Sequence, residues 1–165
     1  MKTVIMLCIT CAMLLGGEKS IWQQDFLRGL AGWSLSGSDL KREGPRLYVR
    51  INTPETSDVG ALSAPSPVFD GSARELSFSI TYRTDADKSA MHSGAWVIYC
   101  FTDDKNKNIG EWRGIPLKKA DVWTETNTTL SAPAGARGIS LAVRMQNRKG
   151  STLDVAKITL KEIIP

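Results

Sequence analysis

The sequence predicts an all-β protein, a single antiparallel β-sandwich, on three observations. Several segments alternate apolar and polar residues with a period of two, the pattern of strands that bury one face. Turn chemistry separates them: Gly32, Gly37 and Gly44-Pro45 early, Pro65-Ser66-Pro67 and Asp70-Gly71 midway, Pro133-Ala134-Gly135 and Gly150 late. No amphipathic helix is readable after the N-terminal segment. Short strands without intervening helices favour a sandwich or barrel over a parallel sheet. A chain of 165 residues fits one such domain.

The N-terminus is different in kind. Met1-Lys2 gives a positive start, and Val4 to Leu15 is almost uninterrupted apolar sequence ending in Gly16-Gly17. This order predicts a secretory signal peptide over residues 1–17, cleaved to leave a domain of residues 18–165. The run is shorter than the roughly 20 residues a membrane helix needs, so no membrane insertion is expected. The protein is expected to be secreted, to the periplasm or the cell surface. Cys8 and Cys11 would leave with the leader, and Cys100 alone cannot form an internal disulfide. The domain must then rely on its hydrophobic core.

The strands follow in order. Leu47, Val49 and Ile51 share one face of a short early strand. From Glu75 to Arg83, Leu76, Phe78, Ile80 and Tyr82 point one way and Ser77, Ser79, Thr81 and Arg83 the other. Ala95 to Phe101 is apolar on both parities, Trp96, Ile98 and Cys100 against Val97, Tyr99 and Phe101, so it is either a central strand covered twice or a strand with an aromatic in a groove. From Gly138 to Gln146, Ile139, Leu141, Val143 and Met145 face inward, and Ser140, Ala142, Arg144 and Gln146 outward. In the last strand Leu153 and Val155 have one parity and Ile158 and Leu160 the other. A β-bulge near Ala156 would let both pairs face the core.

The net charge of +4 is modest, and its basic residues are dispersed, with only the pairs Lys41-Arg42, Lys118-Lys119 and Arg148-Lys149. Nucleic-acid binders concentrate such residues on one element, so nucleic acid is not expected as a partner. The dispersed charge reads first as solvated surface and second as affinity for acidic glycans or anionic surfaces.

Asp104, Asn106 and Asn108 alternate like the opening of a calcium loop. Ile109 and Ile115 then stand where the Gly and the bidentate Glu are needed. His92 has no nucleophile motif or metal spacing around it. Asn127-Thr128-Thr129 is a glycosylation sequon in a source that glycosylates such sites. No nucleophile, base or metal set can be assembled, so no catalytic residue and no enzyme activity is expected. Of the five tryptophans, Trp33 and Trp123 sit beside turn residues at strand starts and read as framework. Trp112, between Glu111 and Arg113, has the polar setting of a binding surface.

The order of segments resembles the galactose-binding-like jelly roll of xylanase- and glucanase-associated carbohydrate-binding modules. Asp25-Phe26 with Gly29-Leu30-Ala31-Gly32-Trp33 resembles the opening strand and its "GxxGW" turn, and Trp96 to Gly110 the long strand ending in an acidic hairpin. Trp123 to Ala136 resembles the Trp-led strand running into "PxGA", and Gly138 to Leu160 the closing pair. The resemblance spans nearly all of residues 22–163.

It implies a non-catalytic module that binds a poly- or oligosaccharide through aromatic platforms flanked by hydrogen-bonding side chains. The parities above assign Trp96 or Tyr99, with Trp112, to stacking and Arg144 and Gln146 to hydrogen bonding. Such modules commonly hold a structural Ca²⁺ near the first strand. Here Ala156-Lys157 stand where its acids belong, with Asp154 two positions early, so no metal or other cofactor is expected. A partner enzyme or envelope protein is the remaining partner class. The alternative function is a cell-envelope structural or protein-interaction domain without glycan binding.

Overall fold

The computed structural model describes residues 17–27, 29–30, 32–54, 59–64, 67–69, 75–86 and 93–164. The leader up to residue 16, the turns at residues 65–66 and 70–71, and His92 lie outside the described residues. Among those described there are eleven strands and no helix. They are β1 (Gly17–Gln24), β2 (Ser34–Ser36), β3 (Ser38–Glu43), β4 (Arg46–Asn52), β5 (Val59–Ser63), β6 (Glu75–Thr84), β7 (Gly94–Thr102), β8 (Asn108–Pro116), β9 (Ala120–Ser131), β10 (Gly138–Gln146) and β11 (Thr152–Ile164).

They form two antiparallel sheets. The first has six strands in the order β3-β4-β11-β6-β9, with β1 also on β11; the second has five, in the order β2-β5-β10-β7-β8. This is the predicted β-sandwich. Apart from the neighbouring pairs β3-β4 and β7-β8, consecutive strands lie in opposite sheets, so the chain crosses between layers repeatedly, as in a jelly roll.

Alternation decides which side of each strand enters the core. Leu76, Phe78, Ile80 and Tyr82 from β6 meet Ile139, Leu141, Val143 and Met145 from β10 in one buried cluster. β11 keeps both of its apolar pairs in that cluster because its register on β6 shifts between Val155 and Lys157. The extra residue, Ala156, reverses the alternation, which is the bulge the parity of the sequence requires. Where β5 of one sheet meets β4 of the other, a Cβ on Gly60 would fall 1.9 Å from the Asn52 carbonyl oxygen. No larger residue fits there.

The "GxxGW" segment closes one end of the core. The Trp33 amide donates to the Leu30 carbonyl at 3.0 Å. Its ring then lies 5.7 Å from Trp22 and 5.6 Å from the fully buried Phe26. Trp33 is therefore framework, as its position predicts. Trp123 is not a core residue. It stands on the outer face of the first sheet, because Thr124 pairs with the inward-facing Tyr82 and adjacent strand residues alternate, which places Trp123 beside Arg83.

The acidic hairpin between β7 and β8 organises itself around one carboxylate. Asp103 Oδ1 accepts from the amides of Lys105 at 2.9 Å and Lys107 at 2.8 Å. The Lys107 amide first, helped by the Lys105 amide, holds the Asp103 carboxyl below the usual carboxylate range, against a smaller opposing effect of burial. Asp103, which immediately precedes the alternating Asp104, Asn106 and Asn108, is thus committed to its own backbone.

Candidate functional site

The outer face of the second sheet is built from residues that alternate with the core residues of β7, β8 and β10. Ala95, Val97, Tyr99 and Phe101 of β7 point inward, which leaves Trp96 and Ile98 pointing out. The register then sets their neighbours. Arg144 of β10 lies opposite Trp96, which lies opposite Pro116 of β8; Ala142 lies opposite Ile98, which lies opposite Gly114. Trp112, which is 50% exposed, lies within the β7–β8 register shift between the pairs Tyr99–Arg113 and Phe101–Ile109.

Trp96, Ile98, Trp112, Arg113, Gly114, Arg144 and Gln146 line one groove of about 480 Å³. Four of the five residues singled out in the sequence, Trp96, Trp112, Arg144 and Gln146, therefore share one surface. The fifth does not. Tyr99 is buried, with its ring 5.8 Å from Phe101 inside the core cluster. Its parity is opposite to that of Trp96, and adjacent residues of a strand face opposite sides.

Gly114 and Arg113 were missed in the sequence. A Cβ on Gly114 would sit 3.1 Å from Cε3 and 3.3 Å from Cζ3 of Trp96. The indole lies across the strand over a residue that has no side chain, and its Nε1 donates to the Ser93 carbonyl at 3.0 Å. Packing and hydrogen bond together fix the ring, which reduces the entropy a partner must overcome. The alternation Trp112-Xaa-Gly114-Xaa-Pro116 carries this arrangement in the sequence, but only once β8 is known to be a strand.

The polar groups of the groove are unequal in their commitments. Among the described residues, Arg113 and Arg144 join no ion pair, and Arg144 Nε is buried without an acceptor. Trp112 makes no ring or cation–π contact among those residues. Exposed indole, guanidinium and amide at one place can stack on a flat apolar face and donate to oxygens at its rim.

A larger depression of about 610 Å³ lies on the first sheet, lined in part by Asp25, Glu43, Arg46, Trp123 and Lys157. Its aromatic ring is already engaged. The guanidinium carbons of Arg46 and Arg83 lie 4.8 and 4.6 Å from the Trp123 centroid, and Tyr48 meets the ring nearly edge-on at 5.4 Å. Trp123 Nε1 donates to Glu43 at 3.1 Å. These bonds, Trp123 first and then Arg83, hold the Glu43 carboxyl below the ordinary range.

Next to it, Arg50 donates two hydrogen bonds to Asp154 at 2.7 and 2.8 Å, and Arg83 Nε donates a third at 2.8 Å. The Arg50 pKa is raised, chiefly by the Asp154 hydrogen bond. Asp154 has its oxygens occupied by guanidinium donors. Among the described residues no group of three or more His, Cys, Asp or Glu could hold a metal ion.

No family model matches the sequence, and no curated protein matches it. Solved structures do match its fold. The enzymatically active domain of tailspike protein 4 from bacteriophage CBA120 matches with a TM-score of 0.62 at 10% identity, over 82% of this chain but only 20% of its own. A family 16 carbohydrate-binding module matches with a TM-score of 0.62 at 11% identity, over 86% of this chain and 99% of its own. The module TmCBM61, solved in complex with beta-1,4-galactotriose, matches with a TM-score of 0.56 at 13% identity, over 84% and 94%. The chain spans a fifth of the tailspike and almost the whole of each module. Its fold is the jelly-roll β-sandwich of carbohydrate-binding modules.

Proposed function

We propose that the protein is an exported, non-catalytic module that binds a poly- or oligosaccharide in the groove of the second sheet. The observation that carries this reading is the convergence of Trp96, Trp112, Arg144 and Gln146 on one surface. Sugar rings present apolar C–H faces to an indole and hydroxyls to donors at its edge. The groove offers both, with Trp96 already fixed over Gly114. The likeness in fold to a module solved with a galactotriose supports the same class of ligand.

The lining also favours binding over hydrolysis. Glycosidases of the common kind place two carboxyl groups about the scissile bond, and the described residues lining this groove include none. Export rests on the apolar leader before Gly17.

A glycan array probed with the secreted protein tests the reading. Binding to at least one oligosaccharide, lost in Trp112→Ala with an unchanged melting temperature, is the expected result. Absence of binding to every glycan would remove the reading and favour the envelope-interaction alternative, in which the same groove contacts a protein.

A further inference from the structure

We infer that the groove selects an acidic glycan, one whose sugar rings carry carboxylates as in a polyuronate; this rests on the glycan-binding reading above. The reason is an imbalance of charge confined to one place. Arg113 and Arg144 both line the groove, and among the described residues no carboxylate lines it. Glu111, next to Trp112 in sequence, is not among the lining residues. On the first sheet, where Arg50 and Arg83 gather, the protein supplies the counter-charge. Arg50 and Arg83 share Asp154, and Arg83 also reaches Glu43. A neutral sugar needs donors and acceptors in comparable number, which the Gln146 amide alone would provide. Two uncompensated guanidiniums supply only donors and positive charge.

Position points to a charge on the sugar ring itself. A pyranose lying on the Trp96 indole carries a C5 carboxylate at its rim, roughly in the ring plane. Arg144 is the cross-strand partner of Trp96, and such partners have side chains about 5 Å apart at their roots. The planar guanidinium and planar carboxylate can then pair in that plane, with charge-assisted hydrogen bonds stronger than those to a hydroxyl. The pyramidal oxygens of a sulfate ester lie further from the ring and match that plane less well.

The test uses the whole secreted protein with polygalacturonate, alginate and glucuronoxylan, each beside its carboxyl-reduced form, and with dextran sulfate. At low salt at least one polyuronate is expected to bind about tenfold more tightly than its reduced form. That preference should shrink as salt rises. Arg144→Gln and Arg113→Gln should each abolish the preference while leaving melting unchanged, and Arg113, being exposed, guards against loss of fold. Lys119→Gln, exposed and outside the groove, should preserve it.

Equal binding of the reduced forms would overturn the inference and leave the glycan reading intact. No binding in any arm would remove both. Tighter binding of dextran sulfate, or an equal loss in Lys119→Gln, would mean sulfate recognition or diffuse charge and would also overturn it.

Discussion

On the first sheet, Trp123 lies under the guanidiniums of Arg46 and Arg83, with Tyr48 at its edge and Glu43 on its Nε1. On the second, Trp112 stands half exposed beside Arg113, in a groove that also holds Arg144, and among the described residues no carboxylate lines that groove. The residue types are the same, and the wiring is opposite. In the first cluster each charge and ring has its partner inside the chain, so the cluster can contribute to stability and has little left to offer a ligand. In the second the donors and the indole await partners from outside. Exposed aromatic and arginine residues alone do not mark a binding surface; unmet commitments do.

If that contrast is right, the sharpest way to break the closed cluster is to remove its one carboxylate shared by two arginines. The Asp154 side chain is 2% exposed and bonds both Arg50 and Arg83. Asp154→Ala leaves Arg50 without its carboxylate partner and Arg83 with Glu43 alone. We expect a loss of about 3 kcal/mol in urea unfolding, the lower end for breaking a buried ion pair because both arginines remain partly hydrated. Glycan affinity should not change. A loss below about 0.5 kcal/mol, the size of an ordinary surface change, would mean that the cluster is ornamental to folding.

The two faces were not equally legible in the sequence. Gly138–Gln146 and most of β6 are readable residue by residue, because a strand with one buried face prints its geometry as alternation. The bulge at Ala156 was readable for the same reason. β9 prints little: Val122, Thr124, Thr126, Thr128 and their neighbours are polar or exposed on both sides of an edge strand, so only β-favouring composition marks it. The groove was legible where parity suffices, as for Trp96, Arg144 and Gln146. It was not legible where register decides, as for Gly114 under Trp96. Trp123 misled because its partner Glu43 lies 80 residues away, while its immediate neighbours suggest a strand start packed in the core. Tyr99 was assignable to either side of an all-apolar strand until the inward set of β7 was known.

A matched pair of tryptophan truncations compares the faces directly. Trp112→Ala should weaken glycan binding by about 1 to 3 kcal/mol, the range found for aromatic stacking on the flat rings of nucleobases. Its stability should stay within about 0.5 kcal/mol of the parent, as for a surface change. Trp123→Ala should do the reverse. It removes two cation–π contacts of about 0.5 to 1 kcal/mol each, so the protein should lose about 1 to 2 kcal/mol of stability and bind as before. Calorimetry for affinity and urea melts for stability separate the four numbers. If both variants lose binding, the ligand wraps around the sandwich edge and the one-groove reading is too small.

The smallest expected effect concerns acid. Glu43 accepts from Trp123 and Arg83, and its pKa is held below the ordinary carboxylate range by those bonds. A folded-state value below the unfolded one means that the contribution to stability is complete at neutral pH. It stays complete above the ordinary carboxylate pKa and fades as pH falls from there through the lowered value of Glu43. The urea midpoints of the parent and of Glu43→Gln should therefore differ by a small constant amount at neutral pH and converge on acidification. A gap that persists undiminished into strong acid would show that the contact is not formed in solution. Over the same interval the groove should respond differently, because its described lining includes no carboxylate and no histidine. Binding of a neutral glycan should then be flat, provided the fold is intact. Binding of a polyuronate should fall as the ligand's own carboxylates protonate, and Glu43→Gln should leave that fall where it is. A polyuronate titration that moved with Glu43→Gln would tie the two faces together and end the claim that they work independently.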